Sequence, residues 1–310
     1  MALQHIPSAK HLVTTHEATC QGFLDQAKVK GEKAAIYIAK GMEFWEELTK
    51  TDTVSDVLKN PRLRGGLIAT AGVSAKARNY LTDEEIERIL LGIIEGIPDE
   101  RRNAFREELF YRYLLTKGAS LDGEMRNYGG ARAARIFVVT LLEALQVSHD
   151  PMVWLKDRNE PLKLPEAKLL AESHKVQKIA WHNRVLLFDK KPTLINKNVD
   201  MILLKATASL ADADLLQQRE RYLACGELKG GIDPAGADEH WKTARAAIDR
   251  IAAVFASERK KPALFFVGAA IEEAMAVELF TWLHSGKLKS AANLTVPRQV
   301  TELIAWLIKL

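Results

Sequence analysis

Cysteine is scarce in this 310-residue chain, which carries only Cys20 and Cys225. Two thiols so far apart exclude a disulfide framework and a structural zinc site, and they fit a reducing compartment. Long hydrophobic runs are missing as well. The segment Met1 to Lys10 lacks the apolar core of a signal peptide, and no stretch approaches the ~18 uninterrupted apolar residues of a membrane span. A cytoplasmic protein with no membrane partner is therefore expected. Neither sign of charge dominates, because 44 Lys and Arg face 40 Asp and Glu for a formal net charge of +4. That balance neither demands nor excludes nucleic acid, so local clustering has to decide. No Gly-x-x-x-x-Gly-Lys-Ser/Thr loop occurs, which removes support for triphosphate hydrolysis and for a nucleotide cofactor. Internal repeats and low-complexity tracts are also absent.

What remains is an ordinary globular composition, 47% hydrophobic and 27% charged, in a chain longer than most single domains. The N-terminal part reads as helical. Apolar residues and alanines recur at helical spacing from Thr14 to Leu48, with a break expected near Gly31 or Gly41. Ser74 is a candidate N-cap, and Thr82-Asp83-Glu84-Glu85 has the capping-box arrangement. Phe105, Leu109, Arg112 and Tyr113 mark one face of a further helix. Between Lys117 and Gly130 four glycines surround Arg126 and Asn127. Such a segment is either an ordinary flexible loop or a backbone suited to close approach to phosphate and base edges. A helix over 131–145 follows, with Ile136, Val139, Leu142 and Val147 expected on its inner side.

After Asp150-Pro151 the character changes. Short strands are expected at Lys178 to Trp181 and Arg184 to Phe188, a buried strand at Pro262 to Gly268, and helices over Ala237 to Ala256, Ala270 to Leu283 and Val296 to Leu310. Strands alternating with helices give an α/β pattern. The expected organisation is a mainly helical region over 1–150 and an α/β part with C-terminal helices over 151–310.

The densest chemistry lies between Asn198 and Trp241. Asp200 heads one apolar strand-like run, and Glu227-Leu228-Lys229 closes another 27 positions later. Residues two apart in a strand share a face, so Glu227 and Lys229 point the same way. Two carboxylates brought close suit a hard divalent cation, and a neighbouring ammonium suits the orienting or deprotonation of water. Taken alone, this Asp…Glu-x-Lys skeleton is also what a solvated strand edge produces. Gly230-Gly231 follow directly and read as room for a bulky ligand. His240 stands at a helix start beside Asp238 and Glu239, where a solvated or capping residue is usual. Imidazole nevertheless suits proton transfer near pH 7, and Glu239 is an additional active-site candidate. Asp233, before Pro234, is ordinarily a turn former, but in a DNA enzyme it would suit a cytosine amino group. Cys225 has no evident His partner and reads as a small buried hydrophobe.

The segment Gly226 to Ala244 resembles the catalytic segment of the AvaI/BsoBI family of type II restriction endonucleases. Lys197-Asn198-Val199-Asp200, Tyr111-Arg112-Tyr113-Leu114-Leu115-Thr116, Met125-Arg126-Asn127 and Arg64-Gly65-Gly66-Leu67 with the Lys76 segment carry the same likeness, so it covers nearly the whole chain. The resemblance implies a restriction-endonuclease-like PD-(D/E)xK fold, a mixed-sheet core with a large helical N-terminal part. It also implies a homodimer that embraces double-stranded DNA and cuts the degenerate sequence C-Y-C-G-R-G with magnesium, leaving 5′-phosphates. Asp200, Glu227 and Lys229 fall on the family's nuclease triad, with Val199 in place of the proline of the general motif. On that basis Asp200, Glu227 and the Leu228 carbonyl would hold the metal, His240 would join the active site, and Lys76 and Asp233 would read bases. Arg126 and Asn127 fall in a shared segment and are DNA-binding candidates. The rival expectations are a structure-directed repair or recombination nuclease of the same fold and an inactive DNA-binding module.

Overall fold

The computed structural model describes residues 6–97, 104–146, 150–158, 160–163 and 175–310. Its chain forms two compact units, one of Met1–Phe23 with Tyr128–Leu310 and the other of Leu24–Asn127. Strands begin at Met152, close to where the composition changes. No helix among the described residues is long and apolar enough to cross a membrane.

The larger unit is built on an eight-stranded sheet in the order β2-β1-β3-β4-β5-β6-β7-β8. The strands are β1 Met152–Leu155, β2 Leu162–Lys163, β3 Val176–Trp181, β4 Arg184–Lys190, β5 Val199–Lys205, β6 Tyr222–Lys229, β7 Ala263–Gly268 and β8 Ser290–Asn293. From β2 through to β6 each neighbour is antiparallel, whereas β6, β7 and β8 run parallel. This mixed α/β sheet is the restriction-endonuclease-like fold expected from the sequence. Parallel strands need crossovers, and helices supply them. Ala237–Val254 joins β6 to β7, and Glu273–His284 joins β7 to β8.

Burial follows the period of two. Ile202, Leu204 and Cys225 face one core with Trp241, Ile248, Met275 and Leu279 of the two crossover helices. Met201, Leu203, Ala224 and Phe265 face the other, with Phe137, Leu141 and Leu145 and with Leu303, Ile304 and Leu307 of the last helix, Pro297–Lys309. Central strands covered on both faces read as near-continuous apolar runs, and that is why they are legible in the sequence.

The second unit packs Phe44, Leu48, Leu63, Leu67, Ile86, Leu90, Phe105 and Leu109 into its own core. Its caps are as the sequence predicts: the Ser74 hydroxyl accepts from the Ala77 N–H at 3.1 Å, and Thr82 and Glu85 form a reciprocal capping box.

Three expectations are corrected. The first long helix, α1, runs unbroken over His16–Thr49, through both Gly31 and Gly41. The glycine-punctuated segment 117–130 is no loop, because α6, the sixth α-helix among the described residues, spans Phe105–Gln146. Each glycine costs a helix about 1 kcal/mol relative to alanine. No proline interrupts the span, and the cores that grip Phe105, Leu109, Phe137 and Leu141 outweigh that cost. Inside the second unit Lys30–Asp122 at 2.6 Å and Lys33–Glu124 at 2.8 Å also tie this stretch to α1. Third, the inner face of the 131–145 stretch is Ala133, Phe137, Val138, Leu141, Leu142 and Leu145, with Ile136 and Val139 only partly buried. Val147 lies outside the described residues.

Candidate active site

Register decides how the charged residues meet. Met201 lies opposite Gly226 in the antiparallel β5–β6 pair, so the next position outward sets Asp200 beside Glu227. Lys229 Nζ lies 3.1 Å from Asp200 Oδ2 and 2.8 Å from Glu227 Oε2. The Leu228 backbone N–H donates to the same Asp200 oxygen at 2.8 Å. One carboxylate oxygen thus receives an ammonium and a peptide N–H, and the aspartate is fixed against the edge of the second strand.

The electrostatics are unbalanced. Two carboxylates face one ammonium, and the Glu227 side chain is only 4% exposed. Its Oε1 is buried and makes no hydrogen bond. Burial first, and then the Asp200 charge, push the Glu227 carboxyl up to about 7, against the opposing pull of Lys229. For Lys229 burial works against the charged form, but Glu227 and Asp200 together outweigh it and its pKa is raised. An orphaned buried oxygen is normally a sign of a missing partner. A divalent cation fits, since Asp200, Glu227 and the Leu228 peptide offer hard oxygen donors and a residual negative charge. Among the described residues no group of three or more His, Cys, Asp or Glu gathers to hold a metal; the donor set is the carboxylate pair with the backbone.

The loop after β6 is held tightly. A Cβ placed on Gly230 would overlap the Gly129 carbonyl of α6 and lie 2.7 Å from Ala133 Cβ. On Gly231 it would lie 2.6 Å from His240 Nε2. The double glycine therefore does not leave open room for a ligand, as the sequence suggested: helix backbone and an imidazole occupy the space. In the same way Gly226, next to Glu227, has the Phe265 ring where a side chain would go. These packing partners escaped the sequence reading, whose one available signal was the pair of double glycines at 129–130 and 230–231.

His240 is exposed in the first turn of Ala237–Val254, and its ring reaches back to Gly231, two residues beyond Lys229. Glu239 is exposed beside it. Asp233 is exposed and accepts from the Ala235 N–H at 2.9 Å, so it does form a turn. Lys76 lies exposed in a short helix, Ala75–Arg78, and Arg126 and Asn127 lie exposed on α6; all three belong to the other compact unit. The structure thus gathers Asp200, Glu227, Leu228 and Lys229 at one point, with His240 and Asp233 on the segment that follows. Cys225 is fully buried, as expected.

Residues 2–310 match the family model described as Restriction endonuclease BsobI. The chain belongs to this restriction endonuclease family. It is 37% identical over 312 residues to the type II restriction enzyme AvaI of Nostoc sp., covering 99% of this chain and 98% of that protein, and matches the AvaI of Anabaena variabilis equally. The type II restriction enzyme BsoBI of Geobacillus stearothermophilus is 35% identical over 315 residues, with 99% and 97% covered. Full-length membership makes the chain a restriction endonuclease, a hydrolytic nuclease of the type II class, with DNA as its partner. The Asp200–Glu227–Lys229 cluster acquires a corresponding chemical context, since enzymes of this kind generally need a divalent metal ion.

Proposed function

We propose that the protein is a magnesium-dependent type II endonuclease that cuts both strands of C-Y-C-G-R-G, with the Asp200–Glu227–Lys229 cluster as its cleavage centre. The observation that carries this reading is the buried, unpartnered Glu227 Oε1 beside Asp200 and a single ammonium. Asp200, Glu227 and the Leu228 carbonyl would hold magnesium, which supplies positive charge against the scissile phosphate where negative charge builds during hydrolysis. Lys229 positions the attacking water, and its hydrogen bonds to both carboxylates fix that ammonium in place. His240 assists proton transfer, with Glu239 beside it. Water attacks phosphorus in line, the bond to the 3′ oxygen breaks, and the products carry a 5′-phosphate and a 3′-hydroxyl.

Base reading is assigned to Lys76 and Asp233, and Arg126 and Asn127 contribute further DNA contacts. The N-terminal region of 1–150 embraces the duplex and the part from 151 to 310 cuts it. A two-fold homodimer matches a palindromic site and supplies one cleavage centre per strand. Digesting a plasmid of known sequence with magnesium and sequencing the fragment ends tests site, cut position and end chemistry together. Discrete fragments with one shared end sequence are expected. A ladder of unrelated ends would replace this reading with a structure-directed nuclease, and intact plasmid with an inactive DNA-binding module.

A further inference from the structure

A cavity of about 650 Å³ opens at the far end of the sheet, where β6 and β7 begin. Leu223, Phe255, Pro262 and Leu264 line its apolar floor. Arg259, Lys260 and Lys261, from the segment before β7, and Lys287 and Lys289, from the segment before β8, also line it. Of these cations, Lys287 is neutralised by Asp249 at 2.6 Å and also lies over the Trp282 ring. The acid nearest in sequence to the basic run, Glu258, is taken by Arg219 at 3.3 Å, and the chain's last carbonyl at Leu310 accepts from Arg184. Arg259, Lys260, Lys261 and Lys289 are exposed and have no ion-pair partner among the described residues. Four cations without an ion-pair partner thus gather at one groove, in a chain whose formal excess is only +4.

We infer that this groove is a second, sequence-independent binding site for the phosphate backbone of duplex DNA, separate from the cleavage centre. Three considerations favour that occupant. Three of the four cations are lysines, compact point charges suited to phosphate without the planar, two-pronged geometry that arginine offers a carboxylate. They come from two separate segments of the chain, before β7 and before β8, so a phosphate chain in the groove meets cations from both. The groove also lies at the start of β6, whereas Glu227 and Lys229 lie at its end. Six residue steps along the strand lead from Leu223 to Lys229, about 20 Å at ~3.3 Å per residue. A phosphate held in the groove is therefore not the scissile one at Lys229. The site would hold the enzyme on non-cognate DNA by displacing counterions, and the strength of that grip must fall with salt.

The test uses the full-length protein without metal, saturated with an unlabelled short duplex that carries one cleavage site, and adds a fluorescent 30-bp duplex without a site as the probe. Wild-type protein is expected to take up the probe saturably. The triple variant Lys260→Glu, Lys261→Glu, Lys289→Glu should lose at least tenfold in this affinity. Its slope of log affinity against log salt should flatten by about 0.9 for each phosphate contact removed. The Lys→Arg triple variant should bind as wild type does. With metal restored, all three proteins should cut the short duplex at the same rate, since no altered side chain lies near Asp200. Unchanged probe uptake by the glutamate variant would overturn the inference. So would an equal loss in short-duplex cleavage, which would place these lysines on the primary DNA path. Uptake of a polyglutamate peptide in preference to the duplex would overturn it in favour of an acidic protein segment. None of these outcomes depends on which metal the cleavage centre takes.

Discussion

Glu227 is the residue that most sharply separates a cleavage centre from a solvated strand edge. A carboxyl held at about 7 by burial and by Asp200 keeps its proton more tightly folded than unfolded. In metal-free protein the unfolded state therefore loses that proton first as pH rises past ~4.5, and stability falls until the folded carboxyl has also ionised, near pH 7. The variant Glu227→Gln lacks this penalty. Its melting temperature at pH 8 without metal should exceed that of wild type, by about 1–3 kcal/mol of stability, and the difference should shrink towards zero at pH 4.5. Equal melting at both pH values would show that the carboxylate is solvated. Lys229→Ala should keep the wild-type circular dichroism and sedimentation behaviour but lose cleavage by at least 100-fold. The three charged residues were legible from the sequence because strand parity and the order Asp…Glu-x-Lys fix their faces. Packing partners at 226, 230 and 231 were not legible. Phe265, Gly129 and His240 come to them through tertiary contact, which no local pattern encodes.

Secondary-structure elements explain which readings failed. Glycines suggested a break in α1 and left a loop open at 117–130, but in α6 the local cost is small against the two cores that hold Phe105 and Leu109 at one end and Phe137 and Leu141 at the other. The side at Gly118 is open. Gly118→Ala should therefore stabilise the protein by about 0.5–1 kcal/mol, read as a raised denaturation midpoint; a loss would argue for a loop after all. Gly230→Ala should act in the opposite way. A methyl group there meets Gly129 and Ala133, and the strand end carrying Lys229 has to move. Turnover should fall about 100-fold with little change in KM. Strand β8, Ser290–Asn293, was missed for a different reason. Its Ser-Ala-Ala-Asn sequence has no β-branched or aromatic residue, and only its fully buried place beside β7 makes it a strand. The central strands, with apolar runs at their middles, were read correctly from those runs.

At the level of the whole molecule, the family places the chain among the restriction endonucleases over essentially its full length. What the chain itself adds is a division of charge. One end of the β6 strand carries two carboxylates with one ammonium, and the other opens on four unopposed cations. Dimerisation belongs to this scale as well. Sedimentation should give twice the 34.6 kDa chain mass at micromolar concentration; a monomer that still cuts both strands would contradict the two-fold arrangement. The most direct test of the central claim measures plasmid cleavage and DNA binding together for wild type and Asp200→Asn, with magnesium present. If the Asp200–Glu227–Lys229 cluster is the cleavage centre, the variant binds site-bearing DNA within a few fold of wild type while its cleavage rate falls by at least 1,000-fold. Cleavage within tenfold of wild type would contradict the assignment.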